Sequence, residues 1–170
     1  MLYFAYGSNL SLARLRQRVP SAERLGVYKL PGYALRFHKA SLDGSAKCDA
    51  FYTGEAHHQV LGAVYRMDPS ERPVLDQAET LGIGYDAKQV VLQHSDGHTV
   101  EALMYYAIRI RDDVVPYDWY KHHVLVGACE VQLPEPYIAI IESVMAVPDP
   151  DMTRAEREWA VHSIRTDNGG

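Results

Sequence analysis

The fold is decided by the opening stretch Leu2-Tyr3-Phe4-Ala5-Tyr6-Gly7-Ser8-Asn9-Leu10. Its apolar and aromatic first half is typical of a buried strand, which should stop at the turn-forming residues Gly7, Ser8 and Asn9. A helix from about Ser11 to Arg18 is expected to follow. This order exposes backbone N–H groups at the start of a helix, where they can bind an anion such as a carboxylate. A capped turn without a ligand is the simpler alternative.

A second informative stretch is the helix predicted to start after Asp68. Asp68 suits the N-cap, Pro69 suits the first helical position, and Glu71 is placed to reach back to the N-cap. The helix is expected to end near Gly82 and Gly84, because glycine commonly terminates helices.

Glu79 lies near the C-terminal end of this predicted helix, after Val74, Leu75 and Ala78. At about 100° per residue, it falls on the flank of the apolar face. Its carboxylate can therefore face a cleft and remain accessible to a substrate. A solvated carboxylate on the rim of the protein is the alternative.

The remaining elements follow from apolar and β-branched runs between glycine, proline and aspartate breaks. Strands are expected at Arg24 to Lys29, Tyr33 to His38, Val60 to Met67, Lys88 to Gln93 and Val100 to Ile108. Asp96-Gly97 predicts a hairpin turn. Helices are expected after Pro116, after Pro134, and from Thr153 to Ile164. The second of these should carry Tyr137, Ile140, Ile141, Val144 and Met145 on one side, and the third should start with a Thr153/Glu156 capping box; Arg165 to Gly170 should be frayed.

Composition indicates one ordinary globular domain without nucleic-acid or membrane partners. The chain has 170 residues, 47% hydrophobic and 23% charged, with a formal net charge of -5. Binding to phosphates rests on a basic surface, which this charge does not favour. Arg14, Arg16 and Arg18 are interpreted as the solvated side of the first helix. With no stretch of about 20 apolar residues and no signal-peptide pattern, a cytoplasmic protein is expected.

No metal or organic cofactor is expected. Cys48 and Cys129 have no metal or redox spacing, so they are interpreted as reduced thiols. The adjacent pairs His57-His58 and His122-His123 point their rings apart in either a strand or a helix. A Ser-His-Asp hydrolase with Ser8 as nucleophile lacks the Gly-x-Ser-x-Gly context.

The opening stretch, taken together with Leu75-Asp76-Gln77-Ala78-Glu79, resembles the γ-glutamylcyclotransferase family. That family includes γ-glutamylamine cyclotransferases and plant avirulence-induced relatives. The pairs Tyr120-Lys121, Gly127-Ala128 and Leu133-Pro134 resemble its closing helical region, so the likeness covers roughly residues 1 to 148. It implies an α+β fold with a small distorted mixed β-barrel flanked by helices. A catalytic domain would span 1–150 and a C-terminal helix and tail 151–170.

The resemblance also assigns roles to individual residues. Glu79 matches the catalytic acid/base of the family. The substrate-binding positions that the resemblance implies are Tyr6, Gly7, Ser8, Asn9 and Leu10, with the aromatic positions Tyr85, Tyr105 and Tyr120 around the pocket. The segment between Glu79 and Tyr85 is one residue shorter than in the mammalian type.

The implied reaction converts a γ-glutamyl amide into 5-oxoproline and a free amine. The expected partners are therefore a small-molecule γ-glutamyl substrate and, as one option, a second copy of the chain in a homodimer. Two alternatives stay open: a non-catalytic module that binds a small acidic ligand, and an enzyme that hydrolyses the amide.

Overall fold

Strands dominate the computed structural model, which describes residues 1–162. They are β1 (Leu2–Ala5), β2 (Glu23–Pro31), β3 (Tyr33–Ala40), β4 (Ala46–Tyr52), β5 (Gln59–Arg66), β6 (Tyr85–Gln93) and β7 (Thr99–Ala107). Five of them close a barrel in the order β1-β5-β2-β6-β7, and β3 pairs with β4 in a separate hairpin. The pairs in the barrel are antiparallel except β7 with β1, which is parallel. The predicted α+β fold with a small mixed barrel is confirmed.

The parallel pair determines where the functional residues meet. Because β1 and β7 run in the same direction, both end at the same rim of the barrel, and the antiparallel strand β6 starts there. The turn after β1, Tyr105 near the end of β7 and Tyr85 at the start of β6 are therefore neighbours in space. Residues about 80 to 100 positions apart in the sequence reach one rim through strand pairing alone.

Helices surround the barrel and fix its opening turn. They are α1 (Leu12–Arg16), α2 (Arg72–Ala78), α3 (Asp118–Glu130), α4 (Glu135–Ser143) and α5 (Met152–Ala160), with 3₁₀ turns at Ser8–Leu10 and Pro69–Glu71. α3 packs directly on the first 3₁₀ turn, and a Cβ at Gly127 would lie 2.4 Å from the Cβ of Leu10. Gly127 thus allows the close approach that holds the turn in place. Within residues 1–162, none of the helices has the length and apolarity needed to cross a membrane.

The strand predictions are correct except that β4 was missed. The hairpin turn at Asp96-Gly97 joins β6 to β7, and Gly97 has a φ of 94°. β4 contains Lys47 and Asp49, residue types that are uncommon in strands. Asp49 is buried, and it accepts a hydrogen bond from the backbone N–H of Ala107 at 2.8 Å. Contacts with another strand therefore stabilise β4, although its residue types do not favour a strand.

The start and the end of α2 differ from the prediction. Asp68 caps the 3₁₀ turn by accepting from the backbone N–H of Ser70, but Glu71 binds Ser21 instead of reaching back. α2 then ends at Ala78, several residues before the predicted glycines Gly82 and Gly84. Thr80 terminates it by taking a left-handed conformation with a φ of 52°. Leu81 N–H and Thr80 N–H bind the carbonyls of Asp76 and Gln77, which is the Schellman pattern.

Two C-terminal predictions also need correction. The prediction that Ile140, Ile141 and Met145 share one side of α4 is wrong. Ile141 is buried, whereas Ile140 is 58% exposed and Met145, which follows the helix, is 71% exposed. α5 is capped by Asp151, which accepts from the N–H of Arg154, so the Thr153/Glu156 capping box is wrong. The predicted frayed stretch Arg165 to Gly170 lies outside the described residues.

Candidate active site

An inner cavity of about 30 Å³ lies at the barrel rim where β1 and β7 end. It is lined by Tyr3, Tyr6, Gly7, Ser8, Asn9, Cys48, Glu79, Tyr85, Tyr105 and Tyr120. The structure thus brings together every predicted site residue except Leu10. Tyr3 and Cys48 were not predicted. Tyr3 belongs to the opening motif, whereas Cys48 reaches the cavity from the strand that the sequence did not reveal.

Leu10 is the predicted site residue that lies elsewhere. Its side chain is fully buried and is absent from the cavity lining. Its carbonyl accepts a hydrogen bond from the hydroxyl of Tyr65 at 2.7 Å, and its Cβ packs on Gly127. Leu10 therefore anchors the loop to the core, and its predicted place in the substrate-binding surface is corrected.

Glu79 is the C-cap residue of α2, and its side chain is directed towards the turn after β1. Its Oε1 atom accepts hydrogen bonds from Asn9 Nδ2 at 2.9 Å and from Arg18 Nη1 at 3.3 Å. Its Oε2 atom makes no hydrogen bond with any of residues 1–162. Only 15% of the side chain is exposed. One carboxylate oxygen is thus held in position while the other is available to a substrate.

Asn9 connects the groups around the carboxylate. Its Nδ2 donates to Tyr3 Oη at 3.0 Å as well as to Glu79, and its Oδ1 accepts from Arg18 at 2.9 Å. Both ends of the amide are therefore occupied by protein groups. The side chain of Asn9 positions Glu79. A contact between Asn9 and a substrate would have to involve the backbone of Asn9 or the part of its side-chain amide that remains accessible.

Two of the three arginines of the first helical segment, Arg14 and Arg18, were interpreted incorrectly as solvated, whereas Arg16 is exposed as predicted. Arg14 is buried and pairs with Glu158 at 2.6 Å, while Arg18 pairs with Glu79. Arg16 donates to the carbonyl of Ala22. The alternating spacing contained the signal, because residues four apart share a helix face and the residue between them points away. Arg14 and Arg18 therefore belong together on the face that pairs with Glu158 and Glu79.

Three tyrosine hydroxyls in the cavity wall are committed to protein acceptors. Tyr6 donates to the carbonyl of Tyr105, Tyr85 to the carbonyl of Cys48, and Tyr105 to a carboxylate oxygen of Asp76. Burial raises the pKa of Tyr6 and Tyr85 well above the ordinary value, so both stay neutral. These bonds make the wall rigid, and they place Tyr85 in the cavity in spite of the shortened segment before it.

Two further hydroxyls accept hydrogen bonds and keep their own hydrogen. Tyr120 Oη accepts from the backbone N–H of Cys48 at 2.9 Å, and Tyr3 Oη accepts from Asn9. A hydroxyl has one donor and two acceptor positions, so each can still donate. Burial raises the pKa of Tyr120 well above its usual range, which keeps it a donor. Tyr3 and Tyr120 are therefore suited to bind an oxygen atom of a ligand.

The turn itself approaches Cys48 closely. A Cβ built on Gly7 would lie 3.0 Å from Cys48 Cβ and 3.3 Å from Tyr120 Oη, so any side chain at this position would push on both. Burial raises the pKa of the Cys48 thiol to about 12. At neutral pH this cysteine is protonated, and the thiol is a poor nucleophile.

An outer cleft of about 120 Å³ adjoins the inner cavity. The two hollows share Ser8, Glu79, Tyr85 and Tyr120. The inner one alone has room for about two water molecules. A substrate larger than that must extend into the outer cleft, and Glu79 then lies beside the junction of its two parts.

The outer cleft is basic. Arg14, Arg18, Lys39 and Lys47 contribute to its lining. Three of these cations have a carboxylate partner: Arg14 pairs with Glu158, Arg18 with Glu79, and Lys47 with Asp43 at 2.8 Å.

Lys39 is the exception among these four cations. Its Nζ lies 4.8 Å from the centre of the Tyr85 ring, and no carboxylate of residues 1–162 comes within 4 Å of it. The residue is only 5% exposed, and burial lowers the pKa of its ammonium group. An unpaired, nearly buried ammonium group is suited to bind an anionic group of a ligand.

Neither hollow suits serine-protease chemistry. In the described part of the chain, no histidine lines the inner cavity or the outer cleft. His38 is buried and bound to Asp49 at 2.9 Å. Ser8 therefore lacks a general base, and the Ser-His-Asp alternative loses its support.

Comparisons with known proteins identify relatives of the chain. The profile of the AIG2-like family matches residues 59–141. The γ-glutamylcyclotransferase of Bos taurus is 30% identical over 150 residues, which cover 84% of this chain and 78% of the relative. The Mus musculus protein of the same name is 30% identical over 143 residues, covering 80% and 74%.

Solved structures with a similar fold support the same family. A γ-glutamyl cyclotransferase structure superposes with a TM-score of 0.79 at 25% identity, covering 92% of this chain and 98% of the other. The crystal structure of an uncharacterised protein from Homo sapiens superposes with a TM-score of 0.77 at 27% identity, covering 85% and 88%. By sequence and by fold, the chain belongs to the γ-glutamylcyclotransferase family.

Proposed function

We propose that this protein is an enzyme that cleaves γ-glutamyl amides into 5-oxoproline and a free amine, with Glu79 carrying the protons. One observation supports this most strongly. Glu79 Oε1 is held by Asn9 and Arg18, while Oε2 has no partner within residues 1–162 at the junction of two hollows. A carboxylate with one fixed and one available oxygen suits proton transfer between two nitrogens of one substrate.

The reaction needs no protein nucleophile. The α-amine of the glutamyl group attacks its own γ-carbonyl, a five-membered ring forms, and the bond to the departing nitrogen breaks. Holding these two groups of one molecule together supplies much of the rate. The protonated Cys48 and the absence of a histidine around the clefts of residues 1–162 fit a reaction without a covalent intermediate.

Proton transfer is the task left for Glu79. From ammonium to lactam the attacking nitrogen loses two protons, and from amide to ammonium the departing nitrogen gains two. A single carboxylate can carry them one after the other, as base and then as acid. The carboxylate therefore has the same protonation state at the end of the reaction as at the start.

The charge that develops on the γ-carbonyl oxygen needs donors. The first N–H groups of the turn Ser8–Leu10 have no acceptor within the turn, and the hydroxyls of Tyr3 and Tyr120 keep their hydrogen. One such donor typically contributes about 3 kcal/mol to the stabilisation of an oxyanion. The γ-carbonyl of the glutamyl group therefore lies in the inner cavity, next to the turn, and the rest of the substrate extends into the outer cleft.

The leaving amine then lies in the outer cleft, close to Lys39. An unpaired ammonium group there favours an amine that carries a negative charge near its nitrogen. An α-amino acid meets this condition through its carboxylate. A polyamine does not, and the carboxylate of an ε-linked lysine is several bonds farther away. We therefore expect γ-glutamyl α-amino acids to be preferred.

The test is incubation of the full chain with three γ-glutamyl compounds: one with an α-amino acid, one with a polyamine and one with the ε-amine of lysine. Mass spectrometry should detect 5-oxoproline, released fastest from the α-amino acid amide. Release of free glutamate instead would identify a hydrolase. Tight binding of these amides without any product would identify a binding module. Either of these two outcomes overturns the proposal.

A further inference from the structure

The tip of the β6–β7 hairpin holds a group of side chains that the proposed reaction does not use. His94 and His98 face each other across the turn, since the N–H of His94 binds the carbonyl of His98 at 2.9 Å. Asp96 lies between them at the apex. The strand β6 spans nine residues, so this tip is roughly 30 Å from Tyr85 at the other end of the strand.

The ligand atoms of these three residues converge. His94 Nδ1 is 2.9 Å and His98 Nδ1 is 2.5 Å from the same oxygen, Asp96 Oδ1. All three atoms lie within 4.8 Å of one another. The two imidazole rings stack with centroids 4.6 Å apart. The hairpin turn sets His94 opposite His98 and places Asp96 between them, so a His-x-Asp-x-His spacing across a predicted turn is the sequence signal for this arrangement.

Neighbouring groups orient the cluster. The hydroxyl of Tyr28 is 3.0 Å from His98 Nε2, and the Tyr28 ring packs against both imidazoles. Histidines that bind metals commonly donate their second ring nitrogen to such a partner. The backbone N–H of His98 also donates to Asp96 Oδ1 at 3.1 Å. The side chains of the cluster remain accessible, with exposures of 29%, 60% and 48% for His94, Asp96 and His98.

We propose that His94, Asp96 and His98 bind one divalent transition-metal ion of the Zn²⁺ and Cu²⁺ type. Two imidazole nitrogens and one carboxylate oxygen suit these ions, whereas Mg²⁺ and Ca²⁺ prefer oxygen ligands alone. Ligand atoms around a tetrahedral zinc ion are about 3.3 Å apart. The two nitrogen–oxygen separations of 2.9 and 2.5 Å must open slightly, and the two imidazole nitrogens, within 4.8 Å of each other, must settle at the same spacing. The exposed turn allows both adjustments. Water completes the coordination.

Isothermal titration of the metal-stripped full chain with ZnCl₂ tests the proposal. A Cys129→Ser background removes the exposed thiol as a competing ligand. We expect one ion per chain, and at least a tenfold weaker affinity in the variant His94→Gln/His98→Gln. With Co²⁺, the wild type should show a visible absorption band that this variant lacks.

The matched control is the variant His57→Gln/His58→Gln. Its two rings are also close, with centroids 4.2 Å apart, but within the described part of the chain no carboxylate converges on them. It should bind Zn²⁺ as the wild type does. Asp96→Asn keeps the turn-forming side chain and should weaken binding several-fold, which covers the case in which the double variant misfolds. Absence of a one-to-one site, or unchanged affinity in both hairpin variants, overturns the proposal.

Discussion

The inner cavity and the outer cleft differ in how their polar groups are satisfied. Around the inner cavity, Tyr6, Tyr85 and Tyr105 donate to protein acceptors, and Asn9 is bonded at both ends of its amide. In the outer cleft, Lys39 keeps an ammonium group without a carboxylate partner in the described chain. The inner cavity is thus preorganised for one geometry. In the outer cleft, the ammonium group of Lys39 is left to pair with an anionic group of a ligand. In the proposed mechanism, the inner cavity carries out the reaction and the outer cleft selects the leaving amine of the substrate.

The largest expected effect is loss of turnover on Glu79→Gln. The amide has the shape of the carboxylate and can still accept from Asn9, so the fold should survive. It cannot take up a proton at neutral pH, and general acid–base catalysis is typically worth 10²–10⁴-fold. We expect the rate of 5-oxoproline release to fall about 10³-fold, with thermal unfolding within a few degrees of wild type.

Glu101→Gln is the matched control for this variant, because Glu101 is exposed on β7 away from both hollows. It should retain wild-type turnover. If Glu79→Gln released 5-oxoproline within tenfold of the wild-type rate, the proton-carrying role of Glu79 would be untenable. The inner cavity would then be a binding surface only.

A smaller effect is expected in the outer cleft, from Lys39→Met. The variant keeps the length of the side chain but removes the charge that we place beside the carboxylate of the leaving amine. A hydrogen bond to a charged group is worth about 1.5–3 kcal/mol, so KM for a γ-glutamyl α-amino acid should rise about tenfold or more. A γ-glutamyl amine without an anionic group should be cleaved with unchanged constants.

Two variants sharpen this test. Lys39→Arg restores the charge and should recover much of the affinity. Lys88→Met removes a lysine that lies over the rings of Tyr33 and Tyr106 outside both hollows, and it should change nothing. Equal losses for substrates with and without an anionic leaving group would show that Lys39 supports the structure and does not select the substrate.

Sequence reasoning succeeded where local chemistry decides and failed where distant contacts decide. The Asp96-Gly97 turn was predictable because the turn needs a residue of positive φ, and Gly97 supplies it. The strand β4 was not, since buried Asp49 is stabilised there by His38 and by the backbone of Ala107. Barrel closure is equally non-local, because Tyr3 on β1 pairs with Leu103.

The same division holds within the site. Glu79 and the turn Tyr6 to Asn9 were identified through motifs that are continuous in the sequence. Lys39 was missed because its place in the outer cleft depends on lying beside Tyr85, a residue of another strand. The end of α2 was missed because a β-branched residue, Thr80, occupies the left-handed conformation, at a cost of about 1–2 kcal/mol. That early end makes Glu79 the C-cap residue.

The wall behind the outer cleft should respond to acid, whereas the inner cavity has no histidine in its described lining. Arg14 is held there by Glu158 and contacts His123, which is fully buried. Burial, assisted by Arg14 and His162, lowers the pKa of His123 to about 4. Although burial opposes it, bonding to His123 and Arg14 lowers the pKa of Glu158 to about 2. The neutral histidine and the ionised glutamate are thus the folded forms.

The sign of the pH effect follows from the depressed pKa of His123. The unfolded chain takes up a proton near pH 6.5, whereas the folded chain resists until about pH 4, so stability falls as the pH drops through this interval. Between pH 7 and 4.5 this one group accounts for about 2 kcal/mol of unfolding free energy. His123→Gln does not titrate there, so urea unfolding of the variant should lose about 2 kcal/mol less than wild type over the same interval. Parallel losses in the two proteins would mean that His123 is already charged in the folded state and that the wall holding Arg14 is not the acid-sensitive region.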